Sequence, residues 1–287
     1  MRANLPTPLG SVALYLLATL PLMAVGATRG GAGAVGVLVL HALTLAAALG
    51  WLRRRGHPEP WSSALALAAI PLLYAQVPWL NQALAAGFRD PLVAGWEVAL
   101  FGFDPSRELA GRLPWRWLSE PLHLAYASFY PGIYVPPLLL ALRRRHAELT
   151  TTTLGVLLAA VGCYLAFDVF PVQGPRYFGP PEGVPDGPVR GMVLLILEGG
   201  SSRGAAFPSA HVAVMTAQTL LALRFQRRVG LALAACTAGV GVGAVYGGFH
   251  YAVDVVAGAA LGVAAAWAAL RLRRDAAREA DAGAPGA

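Results

Sequence analysis

Long apolar runs separated by short polar stretches dominate the chain. Several of them reach the roughly 20 residues that an α-helix needs to cross the hydrocarbon core of a bilayer. Eight runs are predicted to span the membrane: residues 9–27, 32–52, 62–80, 121–142, 154–170, 208–223, 231–249 and 251–270. The pattern therefore predicts an all-α fold, a polytopic membrane helix bundle of about eight spans.

Three stretches interrupt this pattern. Residues 81–120 mix charged and aromatic residues, which predicts an amphipathic or re-entrant segment at the membrane interface. Residues 171–207 are rich in Gly and Pro and predict a loop. The tail after residue 274 is composed of Ala, Gly and charged residues and predicts disorder.

Composition supports membrane insertion and predicts its direction. The chain is 56% hydrophobic and 13% charged, whereas soluble domains are about one quarter charged. The net charge of +7 comes from arginines clustered after the second, fourth, sixth and eighth runs, and no nucleic-acid partner is expected. The positive-inside rule puts these clusters, Arg2 and both termini in the cytoplasm. Residues 171–207, His211 and His250 then share the outer face.

Two short stretches carry the candidate chemistry. Pro208 is suited to the first turn of a helix, whose free amides near Ala210 and His211 and positive dipole end favour an anion. His250 and Asp254 are four residues apart, so on a helix they would share a face, and the carboxylate would fix the tautomer of the imidazole. This arrangement predicts a phosphate held between two histidines.

Further polar residues lie near these stretches in the predicted topology. Arg176, between the fifth span and His211, favours a phosphate ligand over an interfacial cation. Arg203 is equally well a second phosphate ligand or a solvated loop residue. His123, Tyr126 and Tyr130 recur at helical spacing, for which packing is favoured over a pocket wall.

At these residues the chain resembles the type-2 phosphatidic acid phosphatase superfamily, and within it the branch that resembles inositol phosphorylceramide synthases. Pro208 to His211 match the family's middle motif, the His250–Asp254 pair matches its last motif, and Arg176 matches the end of its first motif. The resemblance covers residues 62–270. Two cations of the common pattern are replaced, by Val169 and by Ala244, as is common in the synthase-like branch.

The resemblance implies a domain division and a mechanism. Two additional spans (1–61) precede a phosphatase- or phosphotransferase-like six-helix core (62–274), and a tail follows (275–287). His250 is implied as the nucleophile, Asp254 as the group that orients it and His211 as the general acid. The implied substrate-binding residues are Arg176, Arg203, Tyr177, Ser209 and Ala210.

No metal or other cofactor is expected. The expected substrate is a lipid phosphate or a phospholipid in the plasma (inner) membrane, processed at the outer or periplasmic face. Water or an alcohol then accepts the phosphoryl group, so hydrolysis and headgroup transfer both stay open.

Two other classes of function compete with this interpretation. A membrane transporter would relay protons through ionisable residues near the centres of its spans, whereas His211, His250 and Asp254 lie at the mouths of theirs. A structural or assembly partner in the membrane would leave the convergence of these polar groups unexplained.

Overall fold

The computed structural model describes residues 7–29, 31–54, 59–84 and 87–282. In these ranges the chain forms α-helices and no strand, which confirms the all-α prediction. The helices are α1 (Pro8–Arg29), α2 (Gly31–Arg53), α3 (Glu59–Tyr74), α4 (Val77–Leu84), α5 (Asp90–Phe101), α6 (Pro105–Arg112), α7 (Arg116–Ala127), α8 (Phe129–Leu142), α9 (His146–Val169), α10 (Pro188–Gly200), α11 (Ala210–Phe225), α12 (Arg227–Tyr246) and α13 (Ala252–Ala282).

Five of the described helices are long and apolar enough to cross a membrane: α1, α2, α9, α12 and α13. Two more spans arise if the bent pairs α3–α4 and α7–α8 each count as one. Helix α11, the remaining predicted run, has 16 residues and is about 24 Å long, short of a full hydrocarbon core. The described chain is thus a polytopic helical bundle with five to seven candidate spans, where hydropathy predicted eight.

Prolines account for both bends. Helices α3 and α4 meet at 55°, and Pro78, in the first turn of α4, has no N–H to continue the ladder of α3. Helices α7 and α8 meet at 43°, where Pro131 in the first turn of α8 leaves the carbonyl of Ala127 without its helical partner.

The centre of the bundle is formed by α9, α11 and α13, with α12 beside α11. Two glycines of α13 allow α11 to approach closely. A Cβ on Gly258 would clash with the carbonyl oxygen of Ser209, and one on Gly262 would clash with that of Ala213. Small residues of this kind let membrane helices pack backbone to backbone. The start of α11 is thereby held against the first turns of α13.

The N-terminal hairpin of α1 and α2 packs against α3, α4 and α9. His41 of α2 is fully buried in this contact. Its Nε2 lies 2.9 Å from the carbonyl oxygen of Leu16, and its Nδ1 lies 2.6 Å from Oε1 of Gln76 at the bend between α3 and α4. The additional spans are therefore hydrogen-bonded to the broken span.

The mixed stretch 81–120, predicted as an amphipathic or re-entrant segment at the interface, contains the end of α4, the short helices α5 and α6 and the beginning of α7 among its described residues. Its place at the interface stays a prediction. Two other interpretations of local structure need revision. The predicted loop 171–207 contains the 13-residue helix α10. Helix α13 continues through Ala282, into the tail for which disorder was predicted, while residues 283–287 lie outside the described part. The division into additional spans, core and tail stays a prediction.

Candidate active site

His250 and Asp254 meet at the N-terminus of α13, by a geometry that differs from the predicted helical face. The helix begins at Ala252, so His250 precedes it. The Asp254 carboxylate reaches back: its Oδ2 accepts the N–H of Tyr251 at 2.9 Å and lies 3.3 Å from Nδ1 of His250. This is the return half of a capping box, with an imidazole added. With Nδ1 held by the carboxylate, Nε2 of His250 is left for a substrate.

The backbone of His250 is also fixed. Its N–H donates to the carbonyl of Ala244 at 3.1 Å, as does the N–H of Phe249 at 2.8 Å. The resemblance would place a cation at position 244. Ala244 is instead fully buried, and its carbonyl oxygen positions His250 through these two hydrogen bonds.

His211 lies in the first turn of α11, whose N-cap is Ser209. Pro208 therefore precedes the helix, whereas the sequence predicts it in the first turn. The Ser209 hydroxyl accepts the N–H of Val212 at 3.4 Å, and the Ser209 N–H donates to the carbonyl of Asp254 at 2.9 Å. The Ser209 amide is consequently not free to bind a phosphate. This bond instead ties the two motifs together.

The rings of His211 and His250 adjoin edge to face, with centroids 5.7 Å apart and planes inclined by 65°. His211 also has a polar neighbour: its Nε2 lies 3.3 Å from the phenol oxygen of Tyr126. The rings of this second pair are stacked, with centroids 4.9 Å apart. Tyr126, for which packing was the favoured interpretation, is thus a direct partner of the predicted general acid.

Arg176 lies in a short 3₁₀ turn, Pro175–Phe178. Its Nη1 donates to Oγ of Ser201 at 2.8 Å and to the carbonyl of Leu197 at 3.4 Å. A backbone pairing of Val172 with the segment around Ala205 brings this turn toward α11. The guanidinium is therefore fixed against the end of α10.

The predicted residues Arg176, His211 and His250 line one cavity of about 30 Å³. We call it the phosphate cavity; its other walls include Tyr74, Tyr126, Tyr177, Ser201 and Gln173. Three predicted binding residues are not among its lining. Arg203 is exposed, donates from Nε to Oε1 of Gln173 at 2.6 Å and lies over the rings of Phe88 and Tyr177. Ser209 is buried behind the cavity, and Ala210 lines a neighbouring one.

Helix α5 holds both site loops through two buried carboxylates. Glu97 accepts the N–H groups of Ala252 and Val253 at 2.9 and 3.1 Å, at the N-terminus of α13. Asp90 accepts the N–H groups of Gln173 and Gly174 at 3.0 and 2.9 Å, just before Arg176.

Burial raises the pKa of the Glu97 carboxyl, although the two N–H bonds oppose this shift. Burial and the nearby Asp90 carboxylate likewise raise the pKa of the Tyr251 phenol.

Comparison with protein families matches residues 94–268 to the PAP2 superfamily, which is more than half of the chain. The chain belongs to the PAP2 superfamily. Comparison with curated proteins and with solved structures gave no significant match. Together with the apolar helices, membership makes the protein a membrane-inserted, phosphatase-type member of the superfamily with a lipid phosphate as its substrate.

The PAP2 match is shorter than the predicted resemblance to residues 62–270. It contains every predicted catalytic and substrate-binding residue but leaves out α1 to α4. Tyr74 and Asp90, both of which the structure brings to the site, precede the matched segment.

Sequence reasoning missed the supporting residues of this PAP2 site. Asp90 and Glu97 are seven residues apart, hence two turns apart on one face of α5, and this spacing was the available signal. Ser201, Gln173 and Tyr74 carry no local pattern of their own. Their roles depend on contacts between distant segments.

The side chains that line the site can be compared with those that bind metal ions. Among the described residues no group of three or more His, Cys, Asp or Glu side chains is arranged to hold a metal ion. The groups that line the phosphate cavity are instead two imidazoles, a guanidinium, hydroxyls and an amide, which suit an anion better than a cation.

Proposed function

We propose that this protein transfers a phosphoryl group from a membrane lipid phosphate through a phosphohistidine at His250, without a metal ion. The observation that carries the proposal is the contact of Asp254 Oδ2 with Nδ1 of His250, in a cavity shared with His211 and Arg176. A carboxylate that holds one imidazole nitrogen leaves the other as a neutral nucleophile.

The first chemical step follows from this arrangement. Nε2 of His250 forms a bond to phosphorus while the bond between phosphorus and the lipid oxygen breaks. The departing oxygen takes a proton from His211, and Arg176 stabilises the negative charge on the phosphoryl oxygens. The Asp254 carboxylate stabilises the positive charge that develops on His250.

The second step releases the enzyme. The oxygen of a water molecule or an alcohol forms a bond to phosphorus while the bond between phosphorus and Nε2 of His250 breaks, and the attacking group gives its proton to His211. Water gives inorganic phosphate and an alcohol gives a new phosphate ester. Both outcomes use the same residues, so they differ only in what reaches the intermediate.

The second candidate is a transferase that resembles inositol phosphorylceramide synthases, and the small number of cations in the phosphate cavity supports it. Arg176 is the one cation among the described residues that line the phosphate cavity, since Arg203 lies outside it. The positions where the superfamily often carries further cations hold Val169, exposed at the end of α9, and the buried Ala244. A site with few cations favours a phosphodiester or a bulky headgroup over a doubly charged phosphomonoester.

We propose that the site lies at the outer face of the inner (plasma) membrane and that both termini lie in the cytoplasm, which requires the short helix α11 to cross the membrane as an eighth span beside the seven candidates. This proposal depends on the arginine clusters that follow alternate apolar runs. Arg2 and Arg55, which belong to this pattern, lie outside the described residues.

The deciding experiment uses purified protein with ³²P-labelled lipid phosphates and candidate phospholipids, with and without diacylglycerol, ceramide or inositol as acceptor. The wild-type protein should form a phosphoprotein that is labile to acid and stable to base. His250→Ala should abolish both labelling and turnover, and Asp254→Asn should lower the rate by up to about 10⁴-fold, as for the analogous carboxylate of serine proteases. Normal turnover by folded His250→Ala protein would reject the mechanism.

Two additions separate the remaining alternatives. Label from ¹⁸O-water in free phosphate, not suppressed by any acceptor, identifies a phosphatase, whereas an acceptor-dependent phospholipid without labelled phosphate identifies a transferase. Chelators should leave the rate unchanged and vanadate should inhibit. Loss of activity on chelation that magnesium restores would exclude the metal-independent mechanism.

A further inference from the structure

A second cavity adjoins the phosphate cavity. It has a volume of about 250 Å³ and shares four lining residues with its neighbour: Tyr74, Leu197, Ser201 and His211. The two cavities are therefore adjacent, and the side chains that line both of them lie at their boundary. A molecule that passes between these side chains would occupy both cavities.

The chemistry of the second cavity is different. Its inner walls are formed by buried or half-buried apolar residues, among them Ile70, Phe129, Ile133 and Ile196. No arginine, aspartate or glutamate is among its described lining residues. Such a surface favours hydrocarbon over a headgroup.

Several residues that line this cavity are exposed on helices that belong to candidate membrane spans. Tyr130 and Tyr134 line it and are 37% and 42% exposed on α8, which belongs to a bent candidate span. Pro71 of α3 is exposed on the other side. An opening between two membrane helices admits a chain sideways from the bilayer.

We propose that this second cavity, the chain slot, holds the first segment of a single hydrocarbon chain of the substrate while its phosphate group lies in the phosphate cavity. The inference rests on the proposed function. One chain is specified because the volume of 250 Å³ lies below the about 300–1,000 Å³ of pockets that enclose drug-sized ligands. A second chain of a two-chain lipid stays in the bilayer.

The position of His211 gives the slot a mechanistic consequence. His211 lines both cavities, whereas His250 lines the phosphate cavity and is not among the lining of the slot. The oxygen that joins phosphate to chain must lie where the two cavities meet, and thus beside His211. The leaving group then departs toward the slot, on the side away from the nucleophile, as in-line displacement requires.

One wall of the slot comes from outside the family segment. Ile70, Pro71 and Tyr74 belong to α3, which precedes the matched residues 94–268. The slot is therefore formed by α3 together with α8, α9, α10 and the start of α11.

The test uses a series of n-alkyl phosphonates, whose P–C bond is not cleaved, below their micelle concentrations. Their binding to the protein in nanodiscs is measured by calorimetry, and hydrolysis of the matching n-alkyl phosphates is measured in parallel. For chains that leave water, each methylene should tighten binding by up to about fourfold until the slot is filled. Methylphosphonate reports the phosphate cavity alone.

Two adjacent glycines provide matched variants. A Cβ added to either Gly199 or Gly200 would meet open space within 4 Å, but only Gly200 lines the slot. Gly200→Leu should flatten the dependence of affinity on chain length and leave methylphosphonate binding unchanged, which also shows that the variant is folded. Gly199→Leu should behave as wild type. Ile196→Trp, which fills the slot from another residue, should reproduce the effect of Gly200→Leu.

The outcomes distinguish the two proposals. An affinity that does not depend on chain length in the wild type, or one that depends on it equally in Gly200→Leu and Gly199→Leu, would overturn the chain slot. Absence of hydrolysis of every alkyl phosphate would count against the proposed function instead, and the phosphonate series would still decide the slot.

Discussion

The phenol oxygen of Tyr126 lies 3.3 Å from Nε2 of His211, and the two rings are stacked. This contact fixes the orientation of the imidazole that we propose as the general acid. It lies within the phosphate cavity, because both residues line it.

Tyr126→Phe should therefore lower kcat with little change in KM. The substitution removes one oxygen, and the loss of one hydrogen bond corresponds to about a threefold to tenfold slower reaction. The limb of the pH–rate profile that reports His211 should also shift, which a purely structural defect would not produce. Tyr246→Phe, which removes a phenol oxygen that bonds to the carbonyl of Leu113 and lines neither cavity, is the control and should keep the wild-type profile. An unchanged profile in Tyr126→Phe would refute the role of Tyr126.

Arg176 and Arg203 should differ sharply when each is replaced by alanine. Arg176 lines the phosphate cavity, and removal of such a charge donor costs about 10²–10³-fold in rate. Arg203 is exposed and bonded to Gln173, so its loss should change kcat/KM by less than about threefold. Steady-state kinetics of both variants with one lipid phosphate measure the difference. Equal losses in the two variants would show that Arg203 also reaches the substrate.

Glu97 should make stability depend on pH in a defined direction. Burial raises its pKa, so the folded protein binds this proton more tightly than the unfolded chain does. The stabilisation from the protonated form is complete below the unfolded pKa and is lost as the pH rises through the folded pKa. The Tm of the wild type minus that of Glu97→Gln, measured by thermal unfolding in one detergent, should fall as the pH rises from about 4 to 7. A difference that rises or stays constant would contradict this linkage.

Membrane orientation is tested with single cysteines in a background from which Cys163 and Cys236 have been removed. Arg143 and Glu182 are both exposed, one after α8 and one before α10. The positive-inside rule predicts that a membrane-impermeant thiol reagent labels Glu182→Cys in intact cells and labels Arg143→Cys only after the membrane is opened. Labelling of both in intact cells would reject the predicted topology.

Hydropathy predicted the existence of the long helices because each must bury its backbone hydrogen bonds in lipid. It could not predict the bends, since the runs that contain Pro78 and Pro131 are predominantly apolar on both sides of each proline. For the 13 residues of α10, the flanking glycines and prolines predict a loop, whereas the structure has a helix.

The candidate site divides in a similar way. The spacing of His250 and Asp254 indicated their chemistry, whereas His211 and Arg176 were predicted from their places in the topology and from the resemblance. The structure brings these four residues together. Glu97 and Asp90 lie in a segment that was assigned to the interface, and the backbone amides that they bind are 83 or more residues away. Because nearly every residue has a backbone N–H group, the sequence does not indicate which of these groups a carboxylate binds. Arg203 was predicted as a second phosphate ligand from its charge alone. Its side chain donates a hydrogen bond to Gln173 instead.

Tyr74 is a wall of both cavities, and it also receives the N–H of Ser202 at its phenol oxygen, 3.1 Å away. A protein trimmed to residues 94–268 would retain every motif residue and lose this wall, together with the carboxylate of Asp90 that holds the turn before Arg176. We therefore expect the unit that works independently to be larger than the recognisable segment and to begin no later than α3. A fragment that starts at the family boundary should insert into membranes yet fail to form a complete pocket.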